Sequence, residues 1–326
     1  MSFQEKFLSE YTPSAYSIIS VSLTFSIEDW YTIVENTLEI VNNFSEVSTL
    51  VLDGVNLELL DIRLNGKNIV LWNDYVVDTE KLTLPNFPSR ATLFIKNKIF
   101  PEKNTELEWL YKASWLYCTQ NEPEWFRKIT YFLDRPDVMT VYTTKIIASK
   151  KYPVLLSNGN LIDSGDIDDE RHFSIWHDPF KKPSYLFALV AWDLGKISDT
   201  FITSSGKKVD LHIFSEHGNE RKCLHALESL KKAMKWDEDT YGREYDLDVF
   251  HIVATDSFNM GAMENKSLNI FNTLYVLADL ETATDRDFLW VEAVIAHEYF
   301  HNWTGDRITC RDWFQLTLKE GLTVFR

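Results

Sequence analysis

The sequence predicts a β-rich N-terminal domain, an antiparallel sandwich or saddle, followed by an α+β region. Two observations carry this prediction. As far as about residue 193, short runs that alternate apolar and polar residues are separated by frequent turn sequences, such as Asp53-Gly54 and Asn65-Gly66. Farther along, strand-like runs are interrupted by segments whose apolar residues recur with helical spacing. The change of pattern places a domain boundary near residue 193 and divides the chain into domains 1–193 and 194–326.

The strands predicted for the N-terminal domain are alternating or apolar runs bounded by turns. They cover residues 17–25, the two halves of 47–64, residues 69–72, a run that ends at residues 157–160, and the buried run 185–190. The break inside the second of these runs falls at Asp53-Gly54, and the strand over residues 69–72 follows a second turn at Asn65-Gly66. Turns at this frequency are typical of antiparallel sheets.

In the second domain, strands and helices are mixed. Strands are predicted over residues 212–214, 248–254 and 268–271. Residues 219–236 predict a helix, because apolar side chains recur on one face of it: Cys223, Leu227, Leu230 and Met234.

A further helix is predicted from Thr284 onward. Thr284 followed by Asp287 resembles a capping box, in which each side chain accepts a hydrogen bond from the backbone of the other residue. Apolar residues then recur with helical spacing and predict a buried face made of Leu289, Ala293, Ala296 and Phe300. Gly305 predicts the end of this helix, and after a short turn a last helical pattern leads to Glu320.

The helix that follows Thr284 carries the pattern His297-Glu298-Tyr299-Phe300-His301. Two histidines four residues apart on a helix lie on the same side, so both imidazoles can reach one tetrahedral zinc ion. Glu320 is positioned as the third ligand, which leaves one coordination position open for water, as in catalytic zinc sites. Such a short pattern also occurs by chance on solvated helices. The downstream glutamate makes a chance match less plausible and favours a chain that binds one zinc ion.

These motifs resemble those of a known family. The H-E-x-x-H pattern with Glu320 is that of the gluzincin metallopeptidases, and Gly261-Ala262-Met263-Glu264-Asn265 is similar to the exopeptidase motif of the aminopeptidase N family. The similarity extends to residues 127–137 and 185–190. It implies a zinc-dependent aminopeptidase that removes N-terminal amino acids from peptides. It also implies that the second domain is the first part of a thermolysin-like catalytic domain.

The resemblance implies catalytic and metal-binding roles that agree with the helical spacing. His297, His301 and Glu320 hold the zinc ion. Glu298, beside the first of these ligands, takes a proton from water as general base and later delivers it to the leaving amine.

The resemblance also assigns residues to substrate binding: Gln120, Glu122, Met260, Gly261, Ala262 and Glu264. Glu264 recognises the free α-ammonium group of the peptide by a charge-assisted hydrogen bond. Gln120 and Glu122, from the N-terminal domain, also take part in recognising the α-ammonium group. The backbone at residues 261–262 aligns the substrate as an added strand. Met260 lines the pocket for the first side chain, and an ordinary core methionine is the alternative.

The sequence departs from the family in one respect. Chains of the aminopeptidase N family continue well beyond the zinc glutamate, and the tyrosine that stabilises the oxyanion lies in that downstream part. No residue of this sequence can be given that role, and loss of one oxyanion donor typically lowers the rate about 10²–10³-fold. We therefore expect a truncated chain that keeps the zinc ligands and is weakly active or inactive alone. Two alternatives stay open: a zinc epoxide hydrolase relative, and a non-catalytic β-domain used for interaction.

Composition restricts the environment and the partners. The chain of 326 residues is 45% hydrophobic and 14% aromatic, which indicates a folded protein. Its formal net charge of −16 disfavours binding to nucleic acid or to anionic membranes. The expected partners, peptides with a free N-terminal amine, are implied by the resemblance. Three widely spaced cysteines favour reduced thiols, and residues 1–12 lack the apolar core of a signal peptide. Both observations predict a cytoplasmic location. Oligomeric state is left open.

Overall fold

The computed structural model describes residues 5–44, 48–113 and 116–326. The strands in these ranges are β1 (Tyr16–Ile27), β2 (Thr32–Asn42), β3 (Ser48–Asp53), β4 (Glu58–Leu64), β5 (Lys67–Asn68), β6 (Val76–Val77), β7 (Lys81–Phe87), β8 (Arg90–Ile99), β9 (Trp109–Ala113), β10 (Leu116–Gln120), β11 (Thr140–Ser149), β12 (Val154–Ser157), β13 (Asn160–Asp166), β14 (Arg171–Lys182), β15 (Leu189–Trp192), β16 (Gly195–Ile202), β17 (Lys208–Ser215), β18 (Val249–Thr255), β19 (Ala262–Met263) and β20 (Leu268–Asn272). The α-helices are α1 (Leu224–Tyr241), α2 (Asp285–Phe300) and α3 (Leu316–Phe325).

The largest sheet has eight strands in the order β13-β14-β11-β1-β2-β8-β4-β5. Neighbouring strands are antiparallel except for β1 and β11, which run parallel. Burial alternates along β2 and β8, as expected for strands whose successive side chains point to opposite faces. The structure therefore confirms the predicted β-rich, largely antiparallel N-terminal domain and adds one parallel pair.

Two smaller sheets, β12-β15-β10-β9 and β3-β7-β6, complete this part of the chain. Aromatic side chains fill the core beneath them. Phe187 stacks on Phe25 with ring centroids 5.6 Å apart and meets the ring of Phe126 edge-on at 5.3 Å. All residues of β10 are buried, so its end at Gln120 is held firmly by the surrounding packing. This fixes where residues 120–122 meet the second half of the chain.

The second half of the chain is built on a five-stranded sheet in the order β16-β17-β18-β20-β19, in which β17, β18 and β20 run parallel. On one face of this sheet, Leu211 and Phe250 share a core with Leu230 of α1 and Ile295 of α2. On the other face, Phe214, Val253 and Ile270 belong to the same core as the N-terminal strands. The sheet therefore lies between the helices and the N-terminal domain, and the predicted α+β region is confirmed.

The helix predicted over residues 219–236 is confirmed with different ends. A 3₁₀ turn, Glu220–Cys223, leads into α1, and Gly242 ends it in the left-handed conformation at φ 62°. All four residues of the predicted apolar face are buried: Cys223, Leu227, Leu230 and Met234. The run 185–190 is buried as predicted, but it begins with the 3₁₀ helix Ser184–Leu186, and its strand, β15, starts only at Leu189.

The strand predicted over residues 69–72 is wrong. After the turn at Asn65-Gly66 only Lys67–Asn68 pairs with β4, and the chain then folds into a tight turn. In that turn Asp74 N–H donates to the carbonyl of Val70 at 2.8 Å. The side chains of Val70 and Trp72 are 60% and 74% exposed. Ile69 packs against the core, but the three residues after it are exposed, so they have no packing that would hold them extended.

The buried face predicted for α2 is confirmed at Phe300, which is buried, and is wrong at Leu289 and Ala293. Leu289 is 68% exposed and Ala293 is exposed, whereas Val291, Ile295 and Tyr299 are buried. The ring of Tyr299 lies 5.8 Å from that of Phe250 in the sheet, which shows the side of the helix that packs inward. Because α2 carries apolar residues around most of its circumference, spacing alone does not select between its faces.

The boundary predicted near residue 193 stays a prediction. Strand β15 ends at Trp192 and β16 begins at Gly195, but one hydrophobic core contains residues from both sides of this point. Residues 1–4 of the predicted first domain, and Val47 at the start of one predicted strand, lie outside the described residues. Within the described ranges, no helix combines the length and the apolar character that a membrane crossing requires.

Candidate metal centre and substrate site

The end of α2 brings two imidazoles together. Its start is fixed by the predicted capping box: Thr284 N–H donates to Asp287 Oδ2 at 2.7 Å, and Asp287 N–H donates to Thr284 Oγ1 at 3.3 Å. His297 lies in the last turn, and His301 follows as the C-terminal cap with helical dihedral angles, φ −59° and ψ −21°. The two rings therefore face the same side, with centroids 4.6 Å apart.

Glu320 reaches these imidazoles from α3. The Nε2 atoms of His297 and His301 are 3.0 Å apart, and Glu320 Oε2 lies 3.3 Å from the first and 3.4 Å from the second. An ion bound tetrahedrally at about 2.0–2.1 Å holds its ligand atoms about 3.3 Å from one another. The three donor atoms therefore form a triangle of the size that a tetrahedral divalent ion requires.

The orientation of His301 is set by the loop after α2 and by α3. Its Nδ1 lies 2.9 Å from the carbonyl oxygen of Thr304, which can only accept, so Nδ1 carries a proton and Nε2 is the nitrogen that faces His297 and Glu320. Thr323 Oγ1 donates to the same carbonyl at 3.1 Å and so supports this arrangement. A histidine held in one tautomer by a backbone carbonyl is typical of metal ligands.

Two other groups of side chains in this region are close enough to hold a metal: Glu264, Glu298 and His301, and Glu122, Glu264 and Glu320. The second of these already contains a cation, because the Lys319 ammonium lies among its carboxylates. The first shares Glu264 Oε1 with the same ammonium. The set with two imidazoles is therefore the best candidate for a metal centre.

Lys319 is the residue of this site that sequence reasoning missed. Its Nζ lies 2.5 Å from Glu264 Oε1, 2.6 Å from Glu320 Oε1 and 2.9 Å from Glu122 Oε1, and its side chain is 1% exposed. The only available hint was that three acids expected in one buried site require a positive partner. Its position next to Glu320 in the sequence gave no further indication, because adjacent helical residues usually point in different directions.

The two acids predicted to recognise an amine have different electrostatic environments. Burial raises the pKa of Glu264, but Lys319 and His301 outweigh it and hold that pKa below its ordinary value. Burial and the neighbouring Glu264 carboxylate raise the pKa of Glu122 to about 7, although Lys319 opposes this. At neutral pH, Glu264 is therefore the firmly ionised member of the pair.

The remaining titratable groups around the imidazoles have shifted pKa values. Burial raises the pKa of Glu298 well above its ordinary value, and its Oε2 has no hydrogen-bond partner among the described residues. Burial lowers the pKa of His301, but Glu264, Glu320 and Glu298 outweigh it and raise that pKa to about 9. The site therefore favours a positive charge between its histidines and carboxylates, which a divalent ion would supply.

Gln120 and Glu122 lie at this site, whereas Met260 lies outside it. Gln120 is 3% exposed, its Nε2 lies 3.8 Å from Met263 Sδ, and its Oε1 has no partner within the described ranges. Glu122 joins the site through Lys319. Met260 is 53% exposed and does not line the cavity beside the histidines, so its predicted role stays a prediction.

That cavity, of about 550 Å³, runs along strand β19. Its lining includes Gly261, Ala262, Tyr275, His297, Glu298 and Thr323. A side chain at position 261 would come within 3.2 Å of the Tyr275 ring, so glycine keeps this passage open. Strand β19 is the last strand of its sheet, and the Gly261 carbonyl accepts from Asn272 N–H on the sheet side. Because alternate residues point their backbone groups to opposite edges, those of Ala262 face the open edge.

The fold and this constellation of residues define the class of protein. The sequence profile of the peptidase M1 N-terminal domain matches residues 13–186, and that of the peptidase family M1 domain matches residues 225–326. The chain belongs to the peptidase M1 family.

Similar proteins within this class are aminopeptidases. The chain is 51% identical over 324 residues to aminopeptidase N of Escherichia coli (strain K12) and 52% identical over 325 residues to that of Haemophilus influenzae. These alignments cover 99% and 98% of this chain but 37% of each relative, so the chain spans little more than a third of their length. The crystal structure of Legionella pneumophila aminopeptidase A in complex with aspartic acid matches with a TM-score of 0.93 and 38% identity, over 98% of this chain and 38% of that one.

Proposed function

We propose that this chain carries the zinc-binding and amine-binding part of an aminopeptidase active site. The observation that carries the proposal is the triangle of His297 Nε2, His301 Nε2 and Glu320 Oε2, with sides of 3.0 to 3.4 Å, placed directly beside the Glu122–Lys319–Glu264 cluster. A divalent-metal donor set and a buried acidic cluster in one site are what removal of an N-terminal residue requires. The aminopeptidases among the relatives support the same activity.

Zinc fits the donor set, because two neutral imidazoles and one carboxylate in tetrahedral geometry are typical ligands of catalytic zinc. His297, His301 and Glu320 would hold one ion. When bound, zinc acts as a Lewis acid on the scissile carbonyl and lowers the pKa of water to about 7. The chain's own contribution is to fix the imidazole tautomer through Thr304 and to keep the carboxylate of Glu320 between both rings.

Glu298 is the proposed general base. It is buried, it lines the cavity beside the histidines, and its Oε2 has no partner among the described residues, so this oxygen is free to accept a proton. The raised pKa of Glu298 makes it a stronger proton acceptor than an ordinary carboxylate. The same carboxyl group can then deliver the proton to the leaving amine.

Glu264 and Glu122 are the proposed amine-binding groups. A peptide α-ammonium would pair with the ionised carboxylate of Glu264, which is buried, and burial strengthens a charge-assisted hydrogen bond. Lys319 keeps these acids from repelling one another before substrate arrives. A peptide whose first amine is blocked offers no positive charge to this cluster, which is why exopeptidase specificity follows.

The open edge of β19 is the proposed docking line for the substrate backbone. Ala262 presents its N–H and C=O along this edge, so an extended peptide can add as a further strand. Such an added strand would run along the cavity that also contains His297 and Glu298. The first peptide bond would then lie near the general base.

The test combines metal analysis with paired substrates. We expect the chain to bind zinc at one ion per chain. Any turnover, which we expect to be weak at most, should be of L-alanine 4-nitroanilide and not of its N-acetylated form. Absence of stoichiometric zinc would refute the metal centre, and equal cleavage of both substrates would refute amine recognition. Zinc binding without turnover would support the metal centre but contradict catalysis by this stretch of chain on its own. Absence of turnover is also what the non-catalytic alternative predicts.

A matched variant tests the amine site separately. Glu264→Gln keeps the size of the side chain and removes its charge, so we expect a raised KM for the free-amine substrate with zinc retained. An unchanged KM and kcat would remove Glu264 from amine recognition. Hydrolysis of an epoxide substrate at a comparable rate would favour the zinc epoxide hydrolase alternative.

The expected partners and location remain proposals of the same kind. Peptides with a free N-terminal amine are the proposed partners, and nucleic acid or membrane binding is not expected from the net charge of −16. A cytoplasmic location is proposed because Cys118, Cys223 and Cys310 are free, buried thiols.

A further inference from the structure

A second cavity lies between the N-terminal domain and the five-stranded sheet. It has a volume of about 660 Å³ and is lined by strands β12, β13 and β14 on one side and by β16, β17 and β18 on the other. None of the residues assigned to the metal centre or to amine recognition contributes to its lining. Its volume is in the range of small-molecule sites, about 300–1,000 Å³.

A buried histidine with unused hydrogen-bonding capacity lines this cavity. His251 is 3% exposed, and neither Nδ1 nor Nε2 has a hydrogen-bond partner among the described residues. Burial lowers the pKa of His251 to about 3, so the ring is neutral at physiological pH and offers one donor and one acceptor. A buried polar side chain without partners is costly unless something else in the cavity satisfies it.

Aromatic rings surround this histidine. His212 pairs with His251 across β17 and β18 and stacks on it with centroids 5.3 Å apart and an interplanar angle of 22°. Trp176 meets the His251 ring edge-on at 5.5 Å, and Phe214 lies 5.6 Å away. Trp176 Nε1 already donates to the carbonyl of Leu155 at 3.1 Å, so this indole offers mainly its apolar surface to the cavity. Walls made of flat rings suit a flat ligand.

Among the described residues that line the cavity, one lysine has no acidic partner. Three acidic residues of the lining each pair with a lysine: Asp166 with Lys150 at 2.8 Å, Asp210 with Lys208 at 2.8 Å, and Asp248 with Lys207 at 3.1 Å. Lys196, in contrast, has no carboxylate within 4.0 Å in the described parts of the chain, and its Nζ lies 6.0 Å from the Phe214 ring centroid. An anionic group entering the cavity would find this lysine available.

We propose that this cavity binds a small planar aromatic or heteroaromatic anion. Its ring would pack among His212, Phe214 and Trp176, its polar ring atom would hydrogen-bond to His251, and its anionic group would pair with Lys196. The proposal is independent of the metal centre, because it rests on residues of a different cavity.

The test uses indole-3-carboxylate as the probe, with indole and tryptamine as its neutral and cationic counterparts. Titration calorimetry on metal-free protein should show one site for indole-3-carboxylate and at least about tenfold weaker binding of the other two, since a charge-assisted hydrogen bond is lost. In protein labelled with ¹⁵N-histidine, the His251 and His212 ring resonances should shift on addition of the probe. Equal binding of the three compounds, or no binding, would overturn the proposal.

Three variants locate the site. Lys196→Met removes the exposed charge and His251→Phe removes the hydrogen-bonding atoms while keeping a ring; each should weaken binding at least about tenfold. Lys235→Met, on α1 and outside the lining, is the matched control and should bind as the original chain does. Thermal melting checks the fold of each variant, and if His251→Phe does not fold, Lys196→Met decides. Binding that persists in Lys196→Met, or that is lost in His301→Ala, would place the ligand elsewhere and overturn the proposal.

Discussion

Replacing Lys319 by methionine is the sharpest test of the electrostatic design of the site. The change keeps an unbranched side chain of similar length and removes the ammonium that lies 2.5 to 2.9 Å from Glu264, Glu320 and Glu122. Removing one member of a buried ion pair typically costs about 3–5 kcal/mol, because a charge is left buried without its partner. We expect a loss in this range in metal-free protein at neutral pH.

The pH dependence of that loss identifies its cause. In the original chain the pKa of Glu264 is lowered by Lys319, so its stabilising contribution is present above the pKa of the unfolded chain, about 4.3, and is lost as the pH falls through the lower folded value. In the variant, the pKa of Glu264 and Glu122 should rise in the folded state. The penalty is then full above these raised values, decreases as the pH falls through them, and disappears only below the lowered pKa that Glu264 has in the original chain.

The assay is urea unfolding of metal-free protein at pH 7 and at pH 4, with Lys232→Met as the control. Lys232 forms an exposed pair with Glu292 at 2.9 Å, and such surface pairs are worth about 0–1 kcal/mol. The reasoning would be refuted if Lys319→Met lost no more stability than Lys232→Met, or if its loss were equal at the two pH values.

Further substitutions test the metal centre and the packing of α2. Glu298→Ala should abolish peptide hydrolysis while atomic absorption still finds zinc, and loss of zinc would make Glu298 a ligand instead of a base. His301→Ala should lose zinc in the same measurement, and full retention would contradict the donor triangle. Thr284→Ala should lower the free energy of unfolding by about 1 kcal/mol through loss of the helix cap, as measured in urea. Ile295→Ala should lower the free energy of unfolding by about 2–5 kcal/mol, whereas Leu289→Ala, at an exposed position, should change it by no more than about 0.5 kcal/mol. The reverse order would support the buried face predicted from spacing.

Local patterns predicted much of the fold because they report local physics. The capping box at Thr284 and the apolar face of α1 depend on residues within a few turns of one another, and both are confirmed. Strand positions followed from alternation and turns in most places. The prediction failed at residues 69–72, where the sequence is apolar but no neighbouring strand is there to bury Val70, Leu71 and Trp72.

The inward side of α2 could not be read from its sequence. Leu289 and Ile295 are both apolar, and only the position of Phe250 and its neighbours in the sheet decides which of them is buried. The same applies to Met260: its place directly before the motif of residues 261–265 suggested a pocket, and the structure leaves its side chain half exposed.

By itself, the sequence determined which side chains could bind a metal, because the four-residue separation of His297 and His301 fixes their common direction on any helix. Only the tertiary structure decided that Glu320 lies 3.3 to 3.4 Å from both rings and that Lys319 enters the acidic cluster. The same is true of the aromatic cavity around His251, which strands from both halves of the chain enclose. The physical reason is that helical spacing constrains neighbours within one turn, whereas the approach of separate elements is set by the packing of their apolar faces.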